Sequence, residues 1–242
     1  MREVIHGAKL TLDMKYHQLF AVLTTIGLFS AHCARPCPKD IELGSLSLSA
    51  TTKSFLPAAQ DVNTMTFKDS SGQTLVFYLT NNANANSEIP VETLCQRGDF
   101  LDQTSQVSKY IVQTRRWSFA SPGNAYTLDV QAEMQNLGAY GNPADTIFIE
   151  SFVTWGQKIP NPSRTGTMSV LSSERGSAAK ITDTQRQTYN KYRVVADTVL
   201  LGKAMTNVYV TPKEGSNTLY IFYTKTNGVE AFTTDTETWV RQ

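Results

Sequence analysis

The sequence predicts an all-β protein, mainly antiparallel, folded as a single-domain sandwich or as an open or closed barrel. The chain is rich in Thr, Ser, Asn and Gln and has 10 tyrosines and 11 phenylalanines, a composition typical of half-exposed sheets. Residues 126–134 also alternate strictly. Leu128 and Val130 alternate with Asp129 and Gln131, as in a strand with one face in the core and one in water.

The first half of the chain shows strand and turn signals in a regular order. Residues 81–88, NNANANSE, have the composition of a polar loop, and residues 91–107 have no clear period, which indicates a short helix or irregular turn. The predicted strands, separated by turns at 69–72 and 121–124, are 41–49 at a sheet edge, 62–67, 74–80, 110–119 and 126–134.

The second half begins with a strand of a different kind. Thr146–Trp155 is apolar at nearly every position, which predicts a strand covered on both faces. The Gly-, Asn- and Pro-rich residues 138–143 and the proline-bearing residues 156–164 indicate loops, and residues 173–191 form a polar excursion with helical turns. Further strands are predicted at 167–172, 192–201, 206–211, 218–224 and 229–232, with Trp239 capping the sheet.

The stretch from Met14 to Cys37 has the pattern of an export signal. Lys15 supplies a positive start, Leu19–Phe29 is apolar and uncharged, and small residues follow. A membrane-spanning helix is the alternative, but the apolar centre is short of the roughly 20 residues that a bilayer requires. We therefore assign residues 1–32 to a signal peptide, with 1–13 as an upstream extension, 33–60 to a tether with an edge strand, and 61–242 to the β domain.

Two resemblances support export. The run Leu28-Phe29-Ser30-Ala31-His32-Cys33 resembles the lipobox of bacterial lipoproteins, which implies that Cys33 is lipidated and becomes the new N-terminus. His32 departs from the small residue that the lipobox has there, so ordinary cleavage after Cys33 is the alternative. The ending, 197–203, 207–209, 219–223 and 227–229, is similar to that of uncharacterised exported lipoproteins from Gram-negative bacteria. This likeness implies export and a β fold. The expected location is the outer membrane or the periplasm, with attachment by lipid, and free secretion is the alternative.

The other two cysteines, Cys37 and Cys95, form an even pair in an oxidising compartment, where a disulfide is expected. Two unpaired thiols are the alternative. A zinc site is disfavoured because two thiolates would lack further ligands of the usual kind.

Cleavage of the signal removes common catalytic chemistries. His6, His17 and His32 are the three histidines of the chain, and all lie within residues 1–32. Histidine-dependent hydrolysis and His-ligated metals are therefore excluded for the mature protein, and no metal or cofactor is expected. The first 32 residues carry three of the 22 basic and two of the 21 acidic residues, so the mature chain is neutral, which disfavours a nucleic-acid partner.

Two groups of residues remain as candidate sites. Asp129 and Glu133 share a strand face but stand roughly 13 Å apart, beyond the spacing of a glycosidase pair. Arg115, Arg116 and Trp117 are the candidate ligand-binding residues, because arginine beside an exposed aromatic ring suits an anionic ligand or a glycan.

These observations predict a non-enzymatic binding or assembly module of the cell envelope, attached to the membrane through a lipid at Cys33. Its expected partners are a glycan, a small apolar ligand or an envelope protein. Two alternatives stay open: a lipocalin-like carrier of a small apolar ligand, and a carboxylate-dependent hydrolase whose acidic residues come from different strands.

Overall fold

The computed structural model describes residues 37–56, 63–96, 105–137, 146–159, 164–176, 181–213 and 218–242. The predicted signal peptide, the lipidation site Cys33 and the predicted turn at 138–143 lie outside these residues. The contacts divide the chain into two compact units. The first comprises Met1–Lys39 and Leu94–Gln106, and the second comprises Asp40–Thr93 and Val107–Gln242.

The first unit contains the predicted disulfide, which the structure confirms. Cys37 and Cys95 are bonded, with their Cα atoms 5.8 Å apart. In the same unit, the Gln106 amide donates a hydrogen bond to the Lys39 carbonyl at 2.9 Å.

The second unit holds nearly all of the secondary structure. A 3₁₀ turn at Pro122–Asn124 joins two of the strands. The elements, in chain order, are β1 (Ile41–Leu46), α1 (Ala50–Lys53), β2 (Thr64–Lys68), β3 (Thr74–Gln96), β4 (Ser105–Ala120), β5 (Tyr126–Asn136), β6 (Ile147–Lys158), β7 (Thr165–Gly176), α2 (Asp183–Tyr189), β8 (Arg193–Leu200), β9 (Lys203–Val210), β10 (Tyr220–Thr224), β11 (Gly228–Thr233) and β12 (Thr238–Arg241).

The predicted all-β, mainly antiparallel fold is confirmed. Within the described residues, twelve strands form one sheet, and eleven of them follow the order β7-β6-β5-β4-β3-β2-β12-β11-β10-β9-β8. β1, predicted as an edge strand, pairs with β4 in parallel, from Ile41 opposite Ser108 to Leu46 opposite Val112. Neither of the described helices is long and apolar enough to cross a membrane.

One face of this sheet, called here the inner face, carries the main core. Phe67, Phe77 and Phe232 contact one another there with ring centroids 5.2–5.8 Å apart. Leu128 and Val130 of β5 face the same core, as their alternation predicts. Burial of these large aromatic rings contributes strongly to the hydrophobic stabilisation of the sheet.

The sheet is curled, so that β7 approaches strands near its other end. Thr165 forms a bridge with Thr218, and Ser169 forms a bridge with Lys191. The face of the sheet opposite the inner face is called the outer face. The β8–β9 hairpin packs against the outer face of β10–β12. There Phe222, Ala231 and Val240 form a second core with Met205 and Val208.

Several local predictions were wrong, including the loop at 156–158 and the excursion at 173–176, which lie in β6 and β7. Residues 81–88, predicted as a loop, belong to β3, because pairing with β4 outweighs the low strand propensity of asparagine and alanine. Residues 91–96 and 105–107, predicted as a helix or irregular turn, continue β3 and begin β4. Trp239 is more than a cap, since it lies in β12 opposite Phe232 of β11.

Candidate functional site

A groove on the outer face of β3–β6 combines an aromatic ring, an ion pair and several hydroxyl and amide groups. Its volume is about 470 Å³, within the range of small-ligand sites. We call it the outer groove. Its lining residues are Thr80, Arg116, Ser118, Phe119, Ala120, Asn124, Thr127, Asp129, Trp155, Gln157 and Ile159.

Strand alternation and register together build this groove. Leu128 and Val130 face the core. Thr127 and Asp129, which alternate with them along the strand, therefore face outward. Asp129 stands opposite Ser118 of β4 on one side and opposite Trp155 of β6 on the other. Because directly opposite residues lie on the same face of a sheet, these three side chains form a row across the strands.

The centre of the row is a salt bridge. Arg116 donates to Asp129 Oδ1 from Nε at 3.1 Å and from Nη2 at 3.0 Å, and Ser118 Oγ donates to the same oxygen at 2.5 Å. The Asp129 side chain is 15% exposed and that of Arg116 is 51% exposed. The charges of the pair cancel, and no described residue donates to Asp129 Oδ2, which leaves an acceptor for a ligand.

The rim of the groove is held by the turn between β4 and β5. Asn124 has a φ of 53°, a left-handed conformation that asparagine tolerates better than most residues. Ser121 fixes the turn, because its Oγ accepts a hydrogen bond from the Tyr126 amide at 2.8 Å. The Ile159 amide donates to the Ala125 carbonyl at 2.8 Å, which holds the end of β6 beside this turn.

The structure separates the three residues predicted to bind a ligand. Arg116 lines the outer groove, whereas Trp117 is 3% exposed and belongs to the core opposite Val130. Consecutive strand residues point to opposite faces, so these two side chains do not share a surface. Arg115 is half-buried opposite Ala132 and makes no ion pair with a described residue.

Trp155, and not Trp117, is the tryptophan that lines the outer groove together with Arg116. The predicted double coverage of this strand holds for residues 148–152, which are all buried, but Trp155 and Gln157 beyond them are half-buried. In the sequence, the polar residues at positions 157 and 158 indicate that burial of both faces of the strand ends before the strand itself ends. The pairing of Trp155 with Asp129 depends on register, which a single sequence does not reveal.

The buried carboxylates of Glu150 and Glu230 and the half-buried carboxylate of Glu237 lie outside the groove, and each has a cationic partner. Burial opposes the ionisation of Glu150, but hydrogen bonds from Thr52 and Ser49 and the Arg175 guanidinium hold the pKa of that carboxyl below its ordinary value. Burial likewise opposes the ionisation of Glu230 and Glu237, and their pKa values are lowered mainly by hydrogen bonds from Lys203 and Lys158, respectively. These carboxylates are thus held as structural anions.

The described residues contain no cluster of three or more His, Cys, Asp or Glu side chains arranged to hold a metal ion. Comparisons with protein-family models, with curated proteins and with solved structures find no match for this chain.

Proposed function

We propose that this protein is an exported, lipid-anchored binding module of the cell envelope and that the outer groove is its ligand site. The observation that carries the proposal is the row of Trp155, Asp129 and Ser118, completed by Arg116. An apolar ring beside a few fixed polar groups is the usual composition of a small-ligand site.

The chemistry of the groove favours a neutral glycan over an anion. Asp129 occupies two of the guanidinium donors of Arg116 and would repel a second anion at that place. A sugar hydroxyl, in contrast, could donate to Asp129 Oδ2 while the apolar face of its ring lies on Trp155. Gln157 and Asn124, which also line the groove, supply further amide groups.

The electrostatics favour binding over catalysis. A general acid at neutral pH needs a raised pKa, whereas Glu150, Glu230 and Glu237 all have lowered pKa values. Each is engaged by a lysine or arginine, which stabilises its charged form. The hydrolase alternative is thereby weakened.

The packing favours a surface site over an internal carrier site. The inner face is filled by the contacting rings of Phe67, Phe77, Tyr126 and Phe232. A carrier of a small apolar ligand would need this space for its cargo. A ligand in the outer groove would leave these packed rings in place.

Export is supported by the Cys37–Cys95 disulfide, a bond that persists in oxidising compartments. Cys37 is four residues after Cys33, so a lipid at Cys33 would attach through a short tether. The intact mass of the protein taken from its native membrane tests this part: a diacyl or triacyl adduct on a chain beginning at Cys33 is expected. A chain that begins at Ala34 without lipid would contradict anchoring.

The binding site is tested with a glycan array followed by titration calorimetry on the full chain. Trp155→Ala should weaken binding of an array hit by about tenfold or more, as expected for a central aromatic anchor. Trp155→Phe should recover part of the affinity, since a smaller ring remains. Arg193→Ala is the control and should bind as wild type does, because Arg193 is exposed on β8 and does not line the outer groove. Unchanged binding by Trp155→Ala would overturn the assignment.

A further inference from the structure

The surface beside the outer groove continues along the strands as a strip of amide side chains. Thr80 of β3 lines the groove, and the residues at positions 82, 84 and 86 follow it on the same face of the strand. On the other side of β4, the residues of β5 at 131, 133 and 135 follow Asp129 on its outward face. We call these six amides the amide strip: Asn82, Asn84, Asn86, Gln113, Gln131 and Gln135.

The amide strip is partly ordered by its own hydrogen bonds. Gln113 Nε2 donates to Asn84 Oδ1 at 3.2 Å. Gln131 and Gln135 both donate to Glu133, at 2.6 and 2.5 Å. Gln113 Oε1 is buried and accepts no hydrogen bond from a described residue, and a buried acceptor of this kind calls for an explanation.

The two strand segments that carry most of the amide strip have no basic residue. β3 and β5 are interior strands of the sheet, and residues 79–89 of β3 and 126–136 of β5 contain no lysine or arginine. Asn82, Asn84 and Asn86 are all exposed. The surface therefore offers neutral amide donors and acceptors, together with the carboxylate of Glu133 between Gln131 and Gln135.

We propose that the outer groove is the end subsite of a longer surface that binds a linear chain of N-acetylated amino sugars along the amide strip, over β3–β5. This inference rests on the proposed function and adds the class of glycan and the direction in which it runs. An acetamido group has one N–H donor and one C=O acceptor, the same pair that each Asn or Gln amide presents. From Asp129 to Gln135 the strip extends roughly 20 Å, enough for several sugar units beyond the one on Trp155.

The test is calorimetry on the full chain with three probes: the β-1,4-linked dimer and hexamer of N-acetylglucosamine, and the hexamer of glucose, which lacks the acetamido groups. Trp155→Ala and the double variant Asn82→Ala/Asn84→Ala are compared with wild type. Gln187→Ala is the control, because Gln187 is an exposed amide on α2. The two asparagines are exposed on β3, so their removal should leave the fold intact.

We expect the N-acetylglucosamine hexamer to bind wild type about tenfold more tightly than the dimer, through a few additional hydrogen bonds. The asparagine double variant should lose most of this gain while binding the dimer as wild type does, and the glucose hexamer should show no gain.

Equal affinity for dimer and hexamer, or a gain that survives the double variant, would overturn the inference. If either result accompanies Trp155-dependent binding of the dimer, the outer groove stands as a glycan site. If neither series binds in a Trp155-dependent way, the inference and the glycan site fail together.

Discussion

Glu150→Gln is expected to destabilise the protein far more than the same substitution at Glu174 one strand away. The Glu150 side chain is fully buried and is ion-paired with Arg175. Its Oε2 accepts hydrogen bonds from the Ser49 amide at 2.8 Å, from Ser49 Oγ at 2.7 Å and from Thr52 Oγ1. One carboxylate thus attaches the segment around α1 to the β6–β7 pair.

The magnitude follows from what the substitution leaves behind. Removing one partner of a buried ion pair costs about 3–5 kcal/mol, because the other charge stays without compensation, and the lower end applies here since the Arg175 side chain is 34% exposed. The amide that replaces the carboxylate keeps its shape and one acceptor oxygen, but the new NH₂ group meets donors where Oε1 or Oε2 stood. We therefore expect a loss of about 3 kcal/mol in the free energy of unfolding. Phe55, which follows α1 and packs in the core, would be held less firmly in its position.

Urea unfolding followed by circular dichroism measures this loss. Glu174→Gln is the matched control, since Glu174 pairs with Arg186 at the surface, and we expect a loss of about 0.5 kcal/mol there. Equal effects of the two substitutions would refute the reasoning, because burial would then have no influence on the pair.

Acid provides a second check of the same carboxylate. The pKa of Glu150 is lower in the folded protein than its ordinary 4.5, so its contribution is complete above that value. The contribution is lost as the pH falls through the folded-state pKa. Wild type and Glu150→Gln should therefore converge in stability at low pH, and a gap that persists there would contradict the assignment.

Three further substitutions test the fold. Leu201→Asn should stabilise the β8–β9 turn by about 1 kcal/mol, because Leu201 has a φ of 48°, a conformation that asparagine tolerates better; thermal melting measures this. Cys95→Ser should cost about 4 kcal/mol in urea unfolding, since the bond to Cys37 spans 58 residues. Gly166→Ala should cost about 3 kcal/mol or more and lower the yield of folded protein, because an added Cβ would lie 1.8 Å from the Leu219 carbonyl oxygen.

Sequence patterns predict those parts of the fold that depend on local alternation. β5 has the burial pattern of its sequence, with Leu128 and Val130 buried and Asp129 half-buried. The polar excursion before β8 does contain a helix, α2, which begins with a capping box between Thr182 and Gln185. These features need only a few neighbouring residues to specify them.

The parts that depend on distant partners are not predictable in the same way. Residues 81–88 have loop-like composition, yet pairing with β4 makes them a strand, and Thr114 Oγ1 donates to the Ala85 carbonyl across that pair at 3.1 Å. The set of residues that line the outer groove is equally unpredictable from local sequence. Sequence reasoning selects Arg116 because it stands beside a tryptophan in the chain, but the tryptophan that shares its surface is Trp155, 39 positions later.

A pair of glycines explains why Trp155 lies where it does. Gly156 of β6 is directly opposite Gly166 of β7, and a Cβ at Gly156 would lie 2.6 Å from the Leu219 side chain. Without side chains at these two positions, the β6–β7 pair can approach Leu219, next to the bridge between Thr165 and Thr218. Leu219 therefore occupies the inner face at Gly156. The adjacent Trp155 points to the outer face, where it lies opposite Asp129. The curl of the sheet and the composition of the outer groove thus depend on the same close contact.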